Sequence, residues 1–173
     1  MKLFFSLLIG LFVLPLSVFC QEKIQKFMVG SNNGQTRVLI TFVEPTEAGF
    51  NMQSMIIDLD AIKDKNEKPK SVTVDLTSTV RSLGSGKKDQ KILLIRWNKN
   101  EEIEMKCDGK WTKKDSDSAA QKIIETTKTI IQNIPLNAKE ATEISLSDEN
   151  IKKIESVLAS MKTENFSCLR VLN

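Results

Sequence analysis

The hydrophobic period of this chain changes once, just after residue 113, and that change restricts the fold to a sheet followed by helices. Upstream the period is two. Ser71 to Val80 sets Val72, Val74 and Leu76 against Thr73, Asp75 and Thr77, the pattern of a half-buried strand. Lys91 to Trp97 reads as a strand that turns at Asn98–Glu101. Glu102 to Cys107 runs back with Ile103 and Met105 on one face and Glu102, Glu104 and Lys106 on the other. Asp108-Gly109 is a tight-turn pair, and Lys110-Trp111-Thr112 begins a further strand, so residues 91–113 form an antiparallel meander. Earlier strands are expected at Lys23–Val29, at Thr36–Val43 beyond the Asn33-Gly34 turn, and at Gln53–Leu59, with Glu44-Pro45 ending the second.

Downstream the period lengthens. Ala120, Ile123, Ile124, Thr127, Ile130, Ile131 and Ile134 recur at three and four, the stripe of an amphipathic helix. Asp115 to Ser118 offers its caps and Pro135 follows its end. Its isoleucines and threonines have modest helix propensity, so burial of one face has to hold it. A second helix starts at Ser147, with Leu146 able to staple onto Ile151 and with Ile151, Ile154, Leu158 and Met161 as its buried face. Residues 165–172 suit a last short strand. The expected fold is α+β: a mainly antiparallel sheet of six or seven strands, one face covered by two C-terminal helices.

Residues 1–20 carry the three parts of an export signal. Met1-Lys2 is positive, Leu3 to Leu14 is almost wholly apolar, and Val18 and Cys20 are small enough for the two positions that precede a cleavage after Cys20. The apolar run is too short to span a bilayer. Residues 21–173 are then expected as a single domain, secreted or periplasmic. A lipid anchor on Cys20 is the alternative. It would attach the protein to a membrane, but Phe19 stands where bacterial lipoproteins have a small residue.

Export assigns the cysteines. With Cys20 removed, Cys107 and Cys168 remain, and an oxidising compartment favours one disulfide between them. The whole chain has a formal net charge of +3, lowered by one when Lys2 leaves, which gives no electrostatic basis for binding nucleic acid. The chain has no histidine. A Ser-His-Asp triad, a Cys-His pair and His-ligated zinc are therefore ruled out.

No catalytic, cofactor or metal motif is complete. Gly84-Ser85-Gly86-Lys87-Lys88 resembles the end of a phosphate-binding loop, but position 81 is Arg and Lys88 replaces the required Ser or Thr. Glu102 and Glu104, two apart on a strand, are the pair from which a carboxylate-dependent hydrolase would be built. A solvated strand face accounts for them as well. Asp58, Asp60, Asp64, Asn66 and Glu67, or Asp115 and Asp117, lack the spacing of a calcium loop. Asn165-Phe166-Ser167 fits a glycosylation acceptor. Trp97 and Trp111 could approach across the meander and line a pocket for an apolar ligand, core packing being the commoner fate of such residues. The expected function is an exported, non-enzymatic binding domain. Its ligand is a partner protein or an apolar small molecule seated between sheet and helices.

Overall fold

The computed structural model describes residues 23–32, 34–60, 69–136, 138, 140–163, 166 and 168–172. Residues 1–20, expected to form an export signal, and Asn33, Asp64, Asn66, Glu67 and Asn165 lie outside these residues.

Nine strands and two helices follow in the order β1 (Ile24–Asn32), β2 (Gln35–Thr46), β3 (Gly49–Asp60), β4 (Ser71–Ser82), β5 (Lys88–Asn98), β6 (Ile103–Cys107), β7 (Lys110–Lys113), α1 (Ser118–Asn133), β8 (Thr142–Glu143), α2 (Asp148–Thr163) and β9 (Arg170–Leu172). The fold is α+β. One antiparallel sheet runs β7-β6-β5-β4-β3-β2-β1-β8, with β9 paired to β5 off that path. The edge of β5 away from β4 is shared. β6 lies against Ile95–Trp97 and β9 against Gln90–Ile92.

The alternation read in residues 71–80 fixes which face is buried. Val72, Val74 and Leu76 line up with Met55, Ile57 and Leu59 of β3 and with Leu93, Ile95 and Trp97 of β5. All nine side chains are buried. Helix α1 contributes Ala120, Ile123, Ile124 and Ile130 to the same core, and α2 contributes Ile154, Val157, Leu158 and Met161. Each fully buried aliphatic chain contributes about 1.5–3 kcal/mol relative to exposure. That exceeds the small propensity deficit of the isoleucines in α1. The start of α1 is fixed by Asp117, whose Oδ1 accepts from the backbone N–H groups of Ala119 at 3.1 Å and Ala120 at 3.0 Å. Buried Thr127 donates its hydroxyl to the Ile123 carbonyl at 2.7 Å, so it adds no unpaired polar group.

Strand lengths exceed the expectation. β2 continues through Pro45 to Thr46, because β1 pairs only as far as Val43 and Pro45 has a neighbour on the β3 side alone. β3 opens at Gly49, where the Arg81 carbonyl oxygen would lie 1.8 Å from a Cβ, so only glycine fits. The β6–β7 hairpin turns at Asp108 and Gly109, both at positive φ (49° and 82°), as its sequence requires.

Candidate functional site

The helices cover one face of the sheet, and the layer between is filled by the core side chains, Phe42, Ile40, Met55 and Leu158 among them. A ligand seated there would have to displace packed residues. Two open hollows lie away from that layer.

The uncovered face is laid out in rows. Met28, Leu39, Ile56, Asp75 and Leu94 face one another in sequence across β1 to β5. The next row runs Arg37, Asp58, Thr73, Arg96 and Glu104. In it Arg37 holds Asp58 with two bonds of 2.6 and 3.0 Å, and Arg96 Nε reaches Glu104 at 2.6 Å. The charged row is therefore internally neutralised. The apolar row contains a single carboxylate, Asp75.

Asp75 floors a cavity of about 580 Å³ together with Ile92 and Leu94. The walls are Lys106, the Asp108-Gly109 turn, the Cys107–Cys168 pair, Leu169 and Arg170. The cavity sits at the seam where β6 ends and β9 begins along β5. The disulfide joins those two strand ends, with Cα atoms 4.5 Å apart.

Asp75 is half-buried and accepts from the Thr77 hydroxyl at 3.0 Å through Oδ1. Burial pushes its carboxyl above the ordinary range, the Thr77 bond pulls it back, and the nearby Asp58 charge raises it again. Folded Asp75 thus keeps its proton to a higher pH than unfolded Asp75. Between those two values the native state binds more protons, so stability falls as pH rises through that window. Asp75→Asn is expected to raise the thermal midpoint at neutral pH, with the gain vanishing once the pH drops below the ordinary aspartate range. Melting curves of both proteins across acid and neutral pH test this. A variant that melts lower at neutral pH would contradict it.

The other residues named from sequence are dispersed. Trp97 is buried on the helix-covered face. Trp111 lies opposite Lys106 on the uncovered face, 4.3 Å below the Arg96 guanidinium. The two tryptophans do not line a common pocket. Glu102 accepts from Asn98 at 2.7 Å and Lys113 at 3.1 Å. Those two bonds hold its carboxyl below the usual range. Glu104 is engaged by Arg96, so each glutamate has its own partners. Gly86, Lys87 and Lys88 border a hollow of about 730 Å³ with Asp89, Gln90 and Leu172 at the exposed end of the β4–β5 hairpin. Of the acidic residues considered for calcium, Asp58 is paired to Arg37, and Asp115 and Asp117 hold backbone N–H groups of Ile103 and α1. Asp64, Asn66 and Glu67 lie outside the described residues. Among the described residues no cluster of His, Cys, Asp and Glu is arranged to hold a metal, and no helix is long and apolar enough to cross a membrane.

Sequence reasoning did not single out Asp75. The available signal was its position as the charged member of the threonine face in residues 71–80. The chain matches no protein-family model, no curated protein and no solved structure.

Proposed function

We propose that this chain is a non-enzymatic binding domain, acting after export, that holds a small apolar ligand at the seam of β4, β5, β6 and β9. The observation that carries this is the cavity of about 580 Å³ floored by Ile92 and Leu94. Small-molecule sites are concave, mainly apolar and a few hundred Å³ in size, with a small number of placed polar groups. The disulfide makes one wall covalently fixed, so less has to be ordered when a ligand enters. The Cys107–Cys168 bond also suits an extracytoplasmic location.

A partner protein on the same face is the second reading, favoured by the row Met28, Leu39, Ile56 and Leu94 that extends beyond the cavity. A neutral fluorescent probe, N-phenyl-1-naphthylamine, separates the two. Saturable binding at one site is expected, lost in Leu94→Glu and kept in Leu39→Glu, which lies three strands away. Equal loss in both variants would instead mark the whole face as the binding surface, and no binding by the parent protein would sink the cavity reading.

A further inference from the structure

We propose that Asp75 is the specificity-determining residue of this cavity and selects ligands with an apolar body and a cationic amine head, an inference that rests on the binding reading above. Asp75 stands between Ile56 and Leu94 in the apolar row, where side chains remove part of its hydration. Among the described residues Thr77 alone donates to it, through Oδ1, and no lysine or arginine forms an ion pair with it. A partly dehydrated carboxylate without a cation is the costliest polar group such a floor can carry. An ammonium head placed against it restores the lost interaction, while Ile92 and Leu94 receive the apolar body.

The surrounding charges support this choice of sign. Asp58, the carboxylate whose charge is felt at Asp75, is itself bound by Arg37 and so is not free to compete for the amine. Lys106, Asp108 and Arg170 also line the cavity, but all three are exposed and keep their water. An anionic head at Lys106 or Arg170 would exchange one hydrated contact for another, with little gain. A cation at Asp75 gains a charge-assisted hydrogen bond in a partly dry site, worth about tenfold in affinity over a neutral head of the same length.

The test is competition of octylamine, 1-octanol and octanoate against bound N-phenyl-1-naphthylamine at neutral pH. Octylamine is expected to bind about tenfold tighter than 1-octanol. Asp75→Asn should abolish that preference, so that octylamine and 1-octanol compete about equally, and Asp75→Glu should retain part of it. Acidification should weaken octylamine alone, as Asp75 takes up its proton. Equal affinities for amine and alcohol in the parent protein would overturn the Asp75 inference while leaving the cavity reading intact. Tightest binding of octanoate would overturn it too, and would move the polar contact to Lys106 and Arg170. If the probe itself does not bind, the cavity reading fails first.

Discussion

Trp97→Ala is expected to lower the unfolding free energy by about 3–5 kcal/mol, and Trp111→Ala by about 1 kcal/mol or less. The two indoles share a sequence neighbourhood and differ only in face. Trp97 is 6% exposed and stands between Val72 of β4 and Ile103 of β6, both buried. Truncating it removes the largest side chain of that corner and leaves a cavity that β-strand backbones cannot close. Trp111 lies on β7, a four-residue edge strand, where it meets Arg96 at 4.3 Å and Lys106 at 5.9 Å. Such exposed cation–π contacts contribute about 0.5–1 kcal/mol. Urea unfolding followed by circular dichroism measures both. Similar losses in the two variants would mean that Trp111 is packed rather than surface-stacked. Each variant also leaves a single tryptophan, so the remaining fluorescence reports one face at a time.

Alternation alone separates these tryptophans onto opposite faces, against the shared pocket considered from the sequence. Ile103 and Met105 point to the core, so Lys106 points away from it. A two-residue turn at Asp108-Gly109 brings Trp111 opposite Lys106. Trp97 has the parity of buried Leu93 and Ile95. The stripe of α1 and its Asp117 cap were equally readable, because both depend on local geometry. The features that escaped were of two kinds. Thr142–Glu143 of β8 are both exposed and carry no apolar pattern; they join β1 through backbone pairing alone, which leaves no trace in side-chain chemistry. The sharing of the β5 edge by β6 and β9 depends on where α2 returns the chain, a tertiary matter. Asp75 combines the two difficulties. Its parity was plain, but whether that face is solvated or hollow is decided by strands distant in sequence. The seat expected for a ligand, between sheet and helices, meets the same difficulty: amphipathic faces show that two layers meet, not how tightly their side chains fill the gap.

Replacing both cysteines, Cys107→Ser with Cys168→Ser, is expected to lower stability by about 4 kcal/mol, the chain-entropy value for a 61-residue separation. At this size that corresponds to a fall in thermal midpoint of roughly 10 °C. The double variant is the right one, because a single replacement leaves the partner's thiol behind, in a buried position when Cys107 is the one replaced. The damage should be local as well as global. β9 holds β5 over only three residue pairs, Gln90–Leu172, Lys91–Val171 and Ile92–Arg170, too few to stay docked without help. The bond fastens this short strand to the end of β6, so its loss frees the β5 edge and one wall of the seam cavity together. Amide exchange of the β5 groups that bond to β9, within residues 90–92, should accelerate more than at Val74 or Ile57, and trypsin should cut after Arg170. Binding of N-phenyl-1-naphthylamine should weaken in the same variant, at temperatures where the rest of the sheet is still folded. A variant that loses stability evenly, with β9 as protected as the central strands, would show that the last strand docks by its own packing. Two reactive thiols in the unfolded, unreduced parent protein would remove the premise, and dithiothreitol would then leave its midpoint unchanged.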